Sequence, residues 1–178
     1  MKNIENIVQG CIENDKASQL EFYNLYSKDI YHTIYRIIQD SGEAKDIMQN
    51  SFLKIFKKVE AYKEKPKIII YSLKRIAINA SIDSLRRRKL SFMEEPGNIP
   101  DMIDEEVDDE DIELRVSQIK EAMDLLPNGV RTILTLRIIE EFSFDEIAQQ
   151  LEMKASTVRT QYVRAKSKIL RIIGNGEV

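Results

Sequence analysis

Between Lys154 and Arg171 the chain carries six Lys and Arg residues and no acid. In the same stretch Val158, Tyr162, Ala165, Ile169 and Ile172 recur at spacings of four, three, four and three, which makes one apolar stripe at helical period. The other side presents Arg159, Thr160, Val163, Arg164 and Ser167, and Lys166 adds to its charge. Arginine and lysine hold phosphates, arginine also forks onto a guanine edge, and valine can meet a thymine methyl. Just upstream, Phe144–Leu151 reads as a shorter helix. Asp145 and Glu146 occupy its first turn, where acids suit the helix dipole, and Ile147, Ala148 and Leu151 form its buried side. Glu152-Met153-Lys154 is the turn between the two, and Ser156 is placed to cap the second helix. This pattern predicts a helix-turn-helix whose second helix enters the major groove of duplex DNA.

A second polar line lies earlier in the chain. Ser72, Arg75, Asn79, Asp83 and Arg86 fall at offsets of 0, 3, 7, 11 and 14, one face of a helix, and the helix ends in Arg86-Arg87-Arg88-Lys89. Leu73, Ile76, Ala77, Ile78, Ile82 and Leu85 give the same helix a broad apolar surface. Asparagine and aspartate bond base edges, and a basic end holds phosphates. The loop before it carries Tyr62, Lys63, Lys65 and Lys67. An aromatic among bases suits unpaired nucleotides, because aromatic rings stack on exposed bases. The opposing reading, a solvated helix face with a charged end, fits the composition equally well. A third face, Asp46, Gln49, Asn50, Leu53 and Lys57, sets one apolar residue in a polar patch, as the centre of a partner surface does.

Other chemistry is poorly served. Cys11 and His32 are the only residues of their types, so no Cys/His metal site is expected, and no intrachain disulfide. The acids cluster in a proline-containing stretch with no glycine-rich phosphate loop, and catalytic groups need fixed geometry. No enzyme, metal or cofactor is therefore expected. The first residues mix charge into every turn, and the longest purely apolar runs are three residues, so neither a signal peptide nor a membrane span is expected. The lone cysteine suits a reducing cytoplasm.

The elements that must position these side chains follow from the periodicity. Four helical patterns precede residue 90, at about 3–13, 21–38, 42–59 and 68–89, the first of them weakly amphipathic. Three or four shorter ones follow, at about 112–126, 130–140, 144–151 and 156–173, with Asn128-Gly129 read as a turn. Residues 91–111 hold Pro96, Pro100 and a dense run of acids, which predicts a linker. Charge divides the same way. Residues 1–90 carry 17 bases against 11 acids, residues 91–113 no base and 11 acids, and residues 114–178 10 bases against 8 acids. A net charge of −3 thus hides two positive blocks, and binding responds to local potential. The expectation is an all-α protein: two small helical domains, 1–90 and 112–178, joined by an acidic linker.

These pieces, in this order, resemble the extracytoplasmic-function sigma factors of bacterial RNA polymerase. DIMQNSFLKIF (46–56) looks like the family segment that docks on the clamp of the largest polymerase subunit. LKRIAINASIDSLRRRK (73–89) is similar to its promoter-melting, −10-reading helix, and residues 126–170 resemble its −35-reading domain. The resemblance implies that Asp46, Gln49, Asn50 and Leu53 meet the clamp. It implies that Arg75, Asn79, Asp83, Arg86 and Arg87, with the Tyr62–Lys63 loop, meet the opened −10 strand. It implies that Arg159, Thr160, Val163, Arg164 and Lys166 read −35 duplex, and that the linker threads the channel later used by RNA. It leaves room for an anti-sigma factor as a further partner. Three positions depart from the family pattern: Asn50 where an acid is common, Ser72 where Trp is common, and Glu152 where glycine is usual in the turn. A left-handed Glu152 would be strained. The rival is an autonomous helix-turn-helix regulator, which accounts for residues 144–170 but for neither upstream surface.

Overall fold

The computed structural model describes residues 3–87, 119 and 121–174. The chain divides into two compact units, Met1–Lys89 and Leu90–Val178. Among the described residues there is no strand. The acidic stretch 91–111, Arg88 and Lys89 lie outside the described residues.

The first unit is built from α1 (Ile4–Ile12), α2 (Lys16–Ile38), α3 (Ser41–Lys57), a short 3-10 turn (Val59–Tyr62) and α4 (Ile68–Arg87). α2, α3 and α4 pack against one another, and α1 lies against α2 and the 3-10 turn. α2 starts five residues before the expected 21. The reason is local: Asp15 caps it, accepting from the Ala17 and Ser18 amides at 3.3 and 2.9 Å. The Ser18 hydroxyl also donates to Asp15, at 2.6 Å. A side chain at Gly10 would collide with Ser18, so glycine there lets α1 and α2 close on each other. Contrary to its weak pattern, α1 is well anchored, with Ile7, Val8 and Cys11 buried. Burial pushes the Cys11 thiol up to about 11, and the Asp15 carboxylate adds to the rise. The centre of the unit is aromatic. Phe22, fully buried, meets Tyr26, Phe56 and Phe52 with ring centroids 4.9, 5.8 and 6.1 Å away.

The second unit comprises helical residues 121–124, then α5 (Asn128–Leu134), a π-helical turn (Thr135–Ile139), α6 (Phe144–Leu151) and α7 (Ala155–Gly174). α7 is its spine, and α5 and α6 both pack on it. The core gathers Ala122, Leu126, Leu134, Ala165, Ile169 and Ile172. Asn128-Gly129, expected as a turn, are the first residues of α5, because Pro127 stands at the cap and fixes an extended entry. Arg131 is 2% exposed. Its guanidinium donates to the Leu126 carbonyl at 2.9 Å and to the Asn128 side chain, so the buried charge ties the entry of α5 together. Ser156, expected at the cap of α7, sits inside its first turn, since the helix begins at Ala155. Among the described residues no helix is long and apolar enough to cross a membrane.

Candidate nucleic-acid interface

α4 is held from behind. Leu73, Ala77, Ile78, Ile82 and Leu85 are buried, the Ser81 hydroxyl bonds the Ala77 carbonyl at 2.8 Å, and the Ser84 hydroxyl donates to Glu43 at the start of α3. Its front is the polar line. Arg75, Asn79, Asp83 and Arg87 are exposed, and Ser72 and Arg86 are half-buried. Arg86 lies 3.7 Å from Asp83, with side-chain exposures of 31% and 60%. A pair this wet contributes about 0–1 kcal/mol to stability. Ahead of α4, Tyr62 is half-buried at the end of the 3-10 turn and Lys63 is exposed. Sequence reasoning passed over Ile68 and Tyr71, which are exposed at the start of α4. Both are large apolar groups on the solvent side of a helix start. Their i, i+3 spacing was the available signal.

On α3 the face of Asp46, Gln49, Asn50 and Leu53 is exposed throughout, and Leu53 is 58% accessible. The same helix buries Ala44, Ile47, Met48, Ser51, Phe52 and Ile55, so the two faces are cleanly separated.

In the second unit a capping box sets the start of α6. The Ser143 hydroxyl accepts from the Glu146 amide at 3.2 Å, and the Glu146 carboxylate accepts from the Ser143 amide at 2.9 Å. Ile147, Ala148 and Leu151 are its buried side. Glu152 ends the helix in the left-handed region, φ 54° and ψ 41°, and the Met153 amide closes back on the Ala148 carbonyl at 2.9 Å. α7 then buries Val158, Ala165, Ile169 and Ile172, with Tyr162 half-buried beside them. Arg159, Thr160, Val163 and Lys166 are exposed. Arg164 is only half-buried, and its Nε is out of solvent without a hydrogen-bond partner, so its outer nitrogens are the ones left to reach outward. The Thr160 hydroxyl donates to the Ser156 carbonyl at 2.9 Å, which leaves it free to act only as an acceptor. Sequence reasoning missed Arg137 and Phe144. Phe144 meets Tyr162 edge to face at 5.3 Å, and the guanidinium carbons of Arg137 and Arg159 stand 5.0 and 5.7 Å from the centre of its ring.

Both units therefore carry an exposed helix face of bases and hydrogen-bonding groups with a packed core behind it. Among the described residues no group of three or more His, Cys, Asp and Glu is arranged to hold a metal.

Comparison with known proteins places both units. The family model "Sigma-70 region 2" matches residues 22–90, and "Sigma-70, region 4" matches residues 117–169. The chain is 27% identical to the ECF RNA polymerase sigma factor SigW of Bacillus subtilis (strain 168), covering 94% of this chain and 93% of SigW. It is 28% identical to the RNA polymerase sigma factor SigV of the same organism, covering 83% of this chain and 85% of SigV. It is also 28% identical to the RNA polymerase sigma-H factor of Pseudomonas aeruginosa, covering 93% of this chain and 91% of that protein. Two sigma-70 regions in the expected order, and relatives aligned nearly end to end, leave no room for the autonomous regulator. The chain belongs to the sigma-70 family, as an extracytoplasmic-function sigma factor, a non-catalytic subunit that gives RNA polymerase promoter-specific initiation.

Proposed function

We propose that α7 reads the −35 duplex, that α4 reads and helps open the −10 region, and that α3 docks on the clamp of the largest polymerase subunit. The observation that carries this reading is the presence of two separate recognition faces of different chemistry. The α7 face is cationic, with Arg159, Arg164 and Lys166 around Thr160 and Val163, as a duplex major groove requires. The α4 face is mixed, with Asn79 and Asp83 between Arg75 and the Arg86-Arg87 end, and Tyr62 and Lys63 in the preceding loop. Neutral and acidic hydrogen-bonding groups suit the edges of unpaired bases better than a phosphate track. In this reading the acidic 91–111 segment is the linker that follows the RNA exit path. The exposed Leu53 within Asp46, Gln49 and Asn50 is the apolar anchor of the polymerase contact.

The two faces act at different steps, so variants separate them. Arg159→Ala should weaken −35 binding by about 1–3 kcal/mol if it contacts a base, and relax specificity at one position. Asn79→Ala and Asp83→Ala should spare closed-complex binding and impair strand opening, read by permanganate reactivity of unpaired thymines in the promoter. A template with a pre-melted −10 bubble should rescue a variant defective only in melting. Promoter opening at wild-type level by both α4 variants, together with unchanged −35 binding by Arg159→Ala, would falsify both assignments.

A further inference from the structure

We infer that Phe144 is a positioning residue for recognition, whose ring face holds the Arg159 guanidinium in place before DNA arrives. The inference rests on the −35 reading of α7 and adds a device to it.

Phe144 is fixed from three sides. The Ser143–Glu146 capping box sets its backbone as the first residue of α6. Tyr162, one turn along α7 from Arg159, meets its ring edge to face at 5.3 Å. Arg137, carried by the π-helical turn, donates to the Phe142 carbonyl at 3.2 Å and brings its guanidinium carbon to 5.0 Å from the ring centre. A ring held this way is a rigid surface. Arg159 is exposed on α7, and its guanidinium carbon stands 5.7 Å from the centre of that ring. Cations within about 6 Å of a ring centre are drawn to its negative face. A free arginine loses rotamer freedom when it orders on a base, and a side chain already ordered on a ring has lost much of it. The ring thus raises affinity for the right sequence without touching DNA. Arg137 has its own carbonyl anchor, so Arg159 is the cation whose order depends on the ring.

The test uses polymerase holoenzyme assembled with the full chain. The specific probe is a short labelled duplex selected by the wild-type holoenzyme from a random pool, and poly(dI-dC) is the non-specific one. Phe144→Leu keeps an apolar side chain but removes the π face. Its affinity for the selected duplex should fall about two- to fivefold, and its affinity for poly(dI-dC) should hold. Phe144→Tyr should restore wild-type binding. In the Arg159→Ala background Phe144→Leu should have no further effect, since the group it positions is gone. Replacing Phe144 by pentafluorophenylalanine keeps the shape and reverses the charge distribution of the ring. It should weaken specific binding as Leu does, with the melting temperature of the chain unchanged, and this variant decides the matter if Phe144→Leu folds poorly. Losses from Phe144→Leu and Arg159→Ala that multiply in the double variant would overturn the inference, as would wild-type affinity in the fluorinated protein. Wild-type affinity in Arg159→Ala alone would instead remove the −35 reading beneath it.

Discussion

The two units hold an exposed polar helix face steady by unequal means. In the first unit α4, of 20 residues, lies against α2, of 23, and α3, of 17. Its exposed face is steady because the backbone behind it is packed on two long partners. In the second unit α7 also has 20 residues, but α5 has 7 and α6 has 8. Helices shorter than about 12–15 residues do not hold themselves in water. Their persistence depends on the capping box at Ser143, the buried Arg131 and the turn at Glu152. Where elements are short, side-chain devices take over the work that area of contact does elsewhere. The first unit should therefore be sensitive to truncation of its core, and the second to changes in caps and turns.

The largest effect tests whether the units are separate at all. Phe22 is fully buried among Tyr26, Phe52 and Phe56, and Phe22→Ala should cost roughly 3–5 kcal/mol through lost burial and the cavity left behind. Hydrogen exchange followed by mass spectrometry should show protection lost across residues 16–87 and retained across residues 121–174. An even loss over both stretches would show that the two units unfold as one cooperative structure.

A surface change on the same unit should do the reverse. Leu53 is 58% exposed, so Leu53→Asp should leave stability within about 0.5 kcal/mol of wild type. If Leu53 anchors the proposed polymerase contact, its loss should cost about 2 kcal/mol or more, so affinity for core polymerase should fall at least roughly thirtyfold, and Asp46→Arg should act in the same direction. Titration of labelled protein with core polymerase measures this. Equal affinities for wild type and both variants would remove α3 from the interface.

The contrast between the units also explains what was legible in the sequence. The long elements declare themselves through apolar periodicity: the Val158–Ile172 stripe of α7 and the inward face of α4 need only the 3.6-residue repeat, and the polar faces opposite them are largely exposed. Short-range chemistry was harder to read. The apolar pattern of α2 begins near 21, while Asp15 starts the helix at Lys16 by capping two amides. α1 looked weakly amphipathic, but tertiary packing buries three of its residues. Asn128-Gly129 looked like a turn because those residues commonly are, yet Pro127 and Arg131 recruit them into a helix. The Phe144 contacts with Arg137 and Arg159 span 7 and 15 positions and join three elements, so no local pattern announces them. Side-chain devices that join elements are what periodicity cannot show.

One such device was visible from the missing glycine. Glu152 has φ 54° at the turn between α6 and α7, a conformation that costs a side-chain-bearing residue roughly 1–2 kcal/mol. Glu152→Gly removes that cost, and the gain is partly offset by the greater freedom of glycine in the unfolded chain, about 0.4–1 kcal/mol. A net stabilisation of about 0.5–1 kcal/mol should remain, less whatever the exposed Glu152 side chain contributes through its own contacts. Glu152→Asn, which tolerates the left-handed region, should fall between the two, and Glu152→Ala should not stabilise at all. Urea denaturation of the three variants gives the order directly. The backbone of the turn is unchanged in this account, so −35 binding by Glu152→Gly should equal wild type. Stabilisation by Ala as large as by Gly would mean that the Glu152 side chain, not its backbone, is what weakens the turn. Stabilisation by Gly, less by Asn and none by Ala would show that backbone strain at Glu152 weakens the turn between α6 and α7.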